Sequence, residues 1–237
     1  MKSFIIHLER AKDREPRVDY LSHLLPGDVE VVNAVDGQAL TTIELAAFNR
    51  NLHRPRYPFA LRHSEIACFH SHRKVWKMIV DSSDDFALVA EDDIMLDTAV
   101  FAKSYALAVD KMTADSFIRF PVANRENPLR TVSSNDENSL FIPKFIGLGM
   151  HLQLIGRTYA SRLLEATERF DRPVDTLLQM HWVTKSVPMT ILPSGVAEMD
   201  ADIGGSSISE GKSFLQTLRR EIARPIYRIA INMRAVD

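Results

Sequence analysis

The stretch that most restricts what this chain can fold into is Phe86-Ala87-Leu88-Val89-Ala90-Glu91-Asp92-Asp93. It is an apolar run that ends in three consecutive carboxylates before Ile94, Met95 and Leu96 resume. A run of this length, rich in strand formers, reads as a buried strand of a parallel-type sheet. Burying three acids at its end would be costly without cations or hydrogen bonds to compensate. They are therefore expected at the strand's carboxyl end, where open α/β sheets place their ligands. In extended geometry Glu91 and Asp93 point to one side, roughly 7 Å apart, with Asp92 on the other. An i, i+2 pair of this kind suits a hard divalent cation that keeps some waters and binds phosphate oxygens. The other reading is a solvated acidic turn capping a helix that starts near Thr98. Spacing alone leaves both open.

The chain before this stretch reads as strand–helix–strand, the opening of a doubly wound α/β sheet. Residues 2–8 form a short apolar strand, and Val18, Leu21 and Leu25 recur with near-helical spacing until Pro26-Gly27. Val29, Val31 and Val32 make a second strand, closed by Asp36-Gly37. Thr41 and Thr42 suit the cap of a helix through Phe48, with Glu44 placed for a capping box. Residues 49–62 are basic, hold two prolines and read as a loop. A helix over 64–80 follows, with Ser64 as its N-cap and Ile66, Phe69, Val75, Trp76 and Ile79 inward.

Beyond the acids, the pattern predicts a helix over 98–112, a strand at 117–120, and a long loop over 121–139. Such a loop inside a compact domain is often functional or a connection without structure of its own. Two short strands around Pro143, a helix over 157–170 and a strand over 187–192 complete the expected domain, 1–210. Gly204-Gly205 suggests a flexible turn.

A length of 237 residues, 46% hydrophobic and 25% charged, suits one large globular domain or one and a half. The net charge of −2 gives no global argument for nucleic acid. One cysteine, Cys68, excludes an internal disulfide framework and fits a reducing compartment. The first residues are too short an apolar run for a signal peptide, and no run is long enough to span a bilayer. The expected address is the cytoplasm.

The tail, 211–237, differs. From Lys212 onward it carries a local charge of +4, leaving −6 on the remainder. Leu218, Ile222, Ile226, Ile229 and Met233 recur at three or four residues, an amphipathic basic helix kinked at Pro225. It reads either as attachment to an anionic membrane surface or as a terminal helix docked on the domain.

Four local patterns carry candidate chemistry. Arg10 and Arg14, four residues apart near a helix start, can meet phosphates bidentately, although a solvated helix start also fits. Asp36, in Ala34-Val35-Asp36-Gly37, either binds a ligand or initiates a turn. In the block from His63 to His72, Glu65 and His72 face the same way, whereas His70 and His72 do not share a helix face. The acidic triad is the fourth.

Together these residues resemble glycosyltransferase family 25. The opening strand and turn, His7-Leu8-Glu9-Arg10 with Asp13-Arg14, correspond to that family's Asn-Leu-Asp-Arg-like turn and Asp-Arg. Ala34-Val35-Asp36-Gly37 matches its Ala-x-Asp-Gly block. Ser64-Glu65-Ile66-Ala67-Cys68 with Ser71-His72 and Trp76 matches its Gly-Glu-Ile-Gly-Cys…Ser-His…Trp. Ala90-Glu91-Asp92-Asp93 stands for Leu-Glu-Asp-Asp, Pro173-Val174-Asp175 for Pro-Val-Asp, and Ser206-Ser207-Ile208 for a late Ser-x-Ile. The departures are Ser64 and Ala67 in place of two glycines, and Gln153 in place of an aromatic residue.

The resemblance implies a Rossmann-like, type A glycosyltransferase fold, a mostly parallel central sheet flanked by helices. It also implies an inverting transfer from a nucleotide sugar, with UDP-galactose favoured, onto a lipooligosaccharide or lipopolysaccharide acceptor. Mn²⁺ or Mg²⁺ would be held by Asp93 and Glu91. The donor would be bound by Arg10, Arg14, Asp36, Glu65, Ser71, His72, Glu91 and Asp92. Asp175 is the candidate base, although it equally suits a helix cap after Pro173, and Glu65 is the reserve. The enzyme would then be cytoplasmic and peripheral on the inner face of the cytoplasmic membrane. Two competing readings remain: a metal-dependent phosphoester hydrolase recruiting His70, His72, His151 and His181, and a non-catalytic membrane-surface module.

Overall fold

The computed structural model describes residues 1–198 and 214–234, with the backbone alone for 214–222. The first elements are β1 (Lys2–His7), a 3-10 turn (Lys12–Arg14), α1 (Glu15–Leu24), β2 (Asp28–Asn33), α2 (Thr42–Ala47) and α3 (His63–Asp81). Then come β3 (Phe86–Glu91), β4 (Ile94–Leu96), α4 (Thr98–Asp110), β5 (Phe117–Arg119), β6 (Pro128–Ser134), β7 (Ser139–Pro143) and β8 (Leu152–Gly156). The rest are α5 (Arg157–Ala166), α6 (Val174–Leu178), α7 (His181–Thr184), β9 (Met189–Leu192), β10 (Val196–Glu198) and α8 (Phe214–Asn232).

Eight strands form one sheet in the order β2-β1-β3-β8-β5-β9-β7-β6. The first three are mutually parallel, β8 and β7 are reversed, and the others follow the first three, so six of the eight run one way. This is the mixed α/β architecture with a large, mostly parallel central sheet flanked by helices that the sequence implied. The period-two pattern of the strands divides the core. Phe4, Ile6 and Val89 face α3 and α5 together with Trp76, Tyr159 and Phe170. Ile5, Leu88 and Leu154 face α1 and α4 together with Leu21 and Phe101. Fully burying one such aliphatic or phenyl side chain contributes about 1.5–3 kcal/mol. That explains why β1 and β3, covered on both faces, read so clearly as central strands.

Helix starts follow local chemistry, not always where expected. Thr41 and Glu44 form the capping box: the Thr41 backbone N–H donates to Glu44 Oε2 at 2.7 Å and the Glu44 N–H to Thr41 Oγ1 at 3.2 Å. For α3 the cap is Arg62, not Ser64, because Glu65 Oε2 accepts the Arg62 backbone N–H at 2.7 Å and starts the helix one residue earlier. Helix α4 is capped by Asp97, whose Oδ1 accepts from Ala99 N and Val100 N at 3.1 Å each. The acidic triad is therefore not the cap of α4.

The expected loop over 121–139 contains a strand. Strand β6 pairs antiparallel with β7 at the edge of the sheet, with two register shifts. Its side chains are nearly all exposed. An edge strand held by main-chain bonds, with solvent on its face, carries no alternation for sequence reading to find.

The tail carries a helix, as expected, but its docked face is not the expected apolar stripe. Helix α8 continues through Pro225, and among its described side chains Tyr227 and Ile231 are buried in the core. Ile226, Ile229 and Met233 of the expected apolar stripe are 61%, 61% and 82% exposed. The side chains of Leu218 and Ile222, and the segments Gly204-Gly205 and Ser206-Ser207-Ile208, lie outside the described residues. No helix among the described residues is long and apolar enough to cross a membrane.

Candidate functional site

The carboxyl ends of β1, β2 and β3 and the first half of α3 surround an open cavity of about 940 Å³. Arg10 and Arg14 reach it from the segment after β1, Val35 and Gly37 from the turn after β2, and Cys68 and His72 from α3. Glu91, Asp92 and Asp93 enter from the end of β3. Sheet topology explains this convergence: three adjacent parallel strands end on one edge, and the loops that leave them meet there.

The three acids have three different environments. Asp92 is buried and saturated, its Oδ1 accepting from Arg14 Nη1 at 2.8 Å and its Oδ2 lying 2.7 Å from His7 Nδ1. Glu91 Oε1 lies 3.0 Å from Nε2 of His72, a residue with no exposed surface. Burial pulls the Glu91 carboxyl up, but the His72 hydrogen bond and the charges of His72, His151 and Arg14 outweigh it, leaving it below its usual value. Asp93 goes the opposite way: burial, then the neighbouring Glu91 charge, pushes its carboxyl up. Its Oδ1 is buried without a hydrogen-bond partner. The chain turns after Glu91, so Asp92 and Asp93 sit in a turn rather than extending the strand. Asp92 is committed to β1 and its following turn, whereas Glu91 faces α3.

The two arginines part company. Arg10 Nε donates to Asp36 Oδ2 at 2.7 Å, and Arg14 goes to Asp92. Asp36 also accepts the Gln38 backbone N–H at 2.9 Å, so it does initiate a turn. That bond first, then Arg10, holds its carboxyl below the usual value. It lines an adjoining depression together with Arg10. Ser71 Oγ accepts the Val35 N–H at 2.9 Å and donates to the Ala67 carbonyl at 2.8 Å, which pins the turn after β2 to α3. Gly37 makes that contact possible: a Cβ there would stand 2.9 Å from Ser64 N and 3.0 Å from Ser64 Cα.

Asp175 lies in the first turn of α6, after Pro173, which occupies the cap position itself. Its Oδ1 accepts from Thr176 N at 2.6 Å and Thr176 Oγ1 at 3.1 Å, and its Oδ2 accepts from Gly149 N at 3.1 Å. It does not line the cavity, but its charge reaches Cys68, which does, and Tyr57 and Tyr227. Glu65 is occupied at the start of α3, accepting from Arg62 N and, at 3.5 Å, from Arg62 Nε. Among the four histidines of the hydrolase reading, His70 Nε2 lies 3.0 Å from the Glu44 carbonyl oxygen and His181 Nε2 lies 2.8 Å from that of Arg234. Only His72 and His151 act on the acids.

Sequence reasoning missed several supporting residues. His7 was only part of a motif, yet it holds Asp92. Gln153 stood out as a departure. It is fully buried, with Nε2 3.5 Å from His72 Nδ1 and 3.2 Å from the Met150 carbonyl oxygen. Asp171 and Arg172, both without side-chain exposure, form a bidentate pair at 2.7 and 3.0 Å. Arg172 also donates to Tyr227 Oη at 2.6 Å and to the Pro55 carbonyl at 2.9 Å, while His53 N donates to Asp171 at 2.9 Å. This network ties the 49–62 loop and α8 to the segment that carries Asp175. Its only sequence signal was an Asp-Arg pair beside a proline.

A family model described as glycosyltransferase family 25 (LPS biosynthesis protein) matches residues 1–178. Human procollagen galactosyltransferase 2 is 41% identical over 96 residues, 38% of this chain and 15% of that protein. Procollagen galactosyltransferase 1 of Danio rerio is 33% identical over 97 residues, covering 38% of this chain and 16% of the relative. A glycosyltransferase 25 family member of Drosophila melanogaster is 33% identical over 95 residues, again 38% and 16%. The chain thus spans about a sixth of the length of these curated relatives.

Proposed function

The chain belongs to glycosyltransferase family 25, and from that membership we propose that it moves a sugar from a nucleotide-sugar donor to a saccharide acceptor, with the donor diphosphate beside Asp93. The observation that carries this reading is the Asp93 carboxylate. One of its oxygens is buried and unpartnered, its proton affinity is raised by burial and then by Glu91, and it opens on a cavity of nucleotide size. These are the properties of a group awaiting positive charge, so Asp93 and Glu91 fit Mn²⁺ or Mg²⁺. When bound, such an ion supplies charge opposite the departing diphosphate.

The chain's own groups account for the rest. His72 orients Glu91, and Asp92 holds Arg14, whose half-exposed guanidinium keeps donors for a phosphate. Arg10, held by Asp36, adds a second cation at the rim. The first turn of α3, at His63 and Ser64, offers free backbone N–H groups to an anion. Asp175 is the proposed base that takes the acceptor hydroxyl's proton during inversion. Gly149 and Thr176 fix its carboxylate, while Glu65 is engaged with Arg62. UDP-galactose is the proposed donor because two of the three named relatives are procollagen galactosyltransferases, and a lipopolysaccharide-type acceptor follows the family's description.

Incubation with Mn²⁺ and a panel of nucleotide sugars tests the reading. One donor is expected to raise the Tm and to be hydrolysed slowly. No response to any donor, or turnover of generic phosphoesters, would sink it. Asp175→Asn is expected to lower turnover by about 10²-fold or more with little change in KM for the donor, since general-base catalysis supplies that much. A smaller loss removes Asp175 from the role.

The exposed Ile226, Ile229 and Met233 beside Arg228 support attachment to an anionic bilayer, hence peripheral residence on the inner face of the cytoplasmic membrane. Ile229→Asp is expected to abolish co-sedimentation with phosphatidylglycerol vesicles without lowering the Tm. Undiminished co-sedimentation would rule this surface out.

A further inference from the structure

Cys68 and His72 are one turn apart on the same face of α3, and β3 ends opposite them at Glu91. Cys68 Sγ, an imidazole nitrogen of His72 and a carboxylate oxygen of Glu91 all lie within 4.8 Å of one another. Tetrahedral zinc ligands of these types stand roughly 3.3–3.6 Å apart, as bond lengths near 2.0–2.3 Å require. The His72–Glu91 separation of 3.0 Å is already close to that, and Cys68 Sγ stands within 4.8 Å of both ligand atoms. Sulfur and imidazole are ligands that hard Mg²⁺ does not seek, whereas they suit a softer ion.

A second observation points the same way. Gln153 is fully buried beside His72 Nδ1, and its Oε1 has no hydrogen-bond partner. Turning this amide over gives up its 3.2 Å bond to the Met150 carbonyl and offers Oε1 to a proton on Nδ1. Metal-bound histidines characteristically donate their other ring N–H to such an acceptor. Burial first, then the charges of Glu91, Asp175, Asp93 and Glu65, push the Cys68 thiol up, so its proton is given up to a bound cation rather than to solvent.

We propose that Cys68, His72 and Glu91 form a soft-cation site that takes Zn²⁺, with Gln153 as the acceptor behind His72 and a fourth position open to the cavity. Binding releases one proton from the Cys68 thiol and one from His72 Nε2, which Nδ1 regains from solvent as the Gln153 amide turns. The site shares Glu91 with the proposed donor-metal position, so Zn²⁺ and a productive Mn²⁺ or Mg²⁺ compete. That consequence rests on the transferase reading; the binding does not.

The test is a titration of the intact protein with Cd²⁺, followed by its ultraviolet thiolate charge-transfer band, and with Zn²⁺ by equilibrium dialysis. One equivalent of Cd²⁺ is expected to produce the band. Cys68→Ser, which barely changes side-chain volume, is expected to abolish it and to weaken Zn²⁺ at least tenfold. Gln153→Met should weaken Zn²⁺ about 10- to 100-fold while keeping the band, as loss of an outer partner does elsewhere. If Cys68→Ser lost its fold, Cys68→Ala judged by the same titration would replace it. Absence of the band in the wild type, or an unchanged Zn²⁺ affinity in a folded Cys68 variant, overturns the proposal. Zn²⁺ inhibition of transfer that needs at least tenfold more Zn²⁺ in Cys68→Ser supports the competition separately; the band without inhibition would leave the site standing and sink only the competition.

Discussion

Asp93→Asn is expected to lower transfer by about 10²-fold or more and, in a chelator, to leave the protein as stable as the wild type or more so. The first effect follows from the proposed role of Asp93 opposite the leaving group's charge, a term that mutagenesis elsewhere puts at about 10²–10³ per group. The second follows from the site's electrostatics. Burial, Glu91 and Asp92 raise the native Asp93 carboxyl above its ordinary 3.8. An acid raised on folding binds its proton more tightly in the native state. Its contribution is therefore favourable below the ordinary value and is lost as the pH rises through the native one. Asparagine has no such ionisation, so the wild type should lose ground to Asp93→Asn as the pH rises from about 4 toward neutrality. Melting curves in chelator across that range, with kcat/KM in Mn²⁺, check both halves. Transfer at wild-type level in the variant would end the assignment of Asp93.

Asp171→Ala is expected to be the most damaging single change to stability, about 3–5 kcal/mol, because it leaves the fully buried Arg172 guanidinium without its bidentate partner. For a chain of this size that corresponds to a fall in Tm of roughly 6–20 °C. Burial works against the Asp171 charge, but hydrogen bonds from His53 and Arg172 dominate and hold its carboxyl well below the ordinary 3.8. The stability contributed by a depressed carboxylate is complete above its ordinary value and is lost as the pH falls through the native one. The gap between wild type and variant should accordingly be full at pH 7 and narrow below about pH 4. Replacing Asp171 and Arg172 together by a well-packed apolar pair should cost less than the single change, since the larger cost is the charge left unpaired. Denaturant titrations of the three proteins at pH 7 and pH 4 measure this. Near-additive losses would contradict the argument.

Much of this protein was legible in order along the chain. The strand–helix–strand opening, the buried strand ending at Glu91, the capping box at Thr41 and Glu44, and the inward face of α3 are short-range facts. Apolar period and side-chain-to-backbone hydrogen bonds fix them locally. The carboxylate cluster and its neighbours Arg10, Arg14 and His72 were legible for the same reason: parallel strands deliver their carboxyl ends to one rim. Strand β6 was not legible, because an exposed edge strand is held by its partner's backbone and not by its own pattern. The roles within the site were not legible either. Three acids in a row look equivalent in sequence; His7 and Arg14, from β1 and the turn after it, saturate Asp92, His72 from α3 keeps Glu91 easily ionised, and burial with the Glu91 charge makes Asp93 resistant to ionisation. The tail shows the same division. Its periodicity pointed to Ile226, Ile229 and Met233, but among its described side chains the buried ones are Tyr227 and Ile231, where Arg172 finds a hydroxyl partner. Sequence by itself determined where the acids lie and which strand presents them. Tertiary structure alone decided which acid is left buried without a partner, since that depends on charges and donors that arrive from distant parts of the chain.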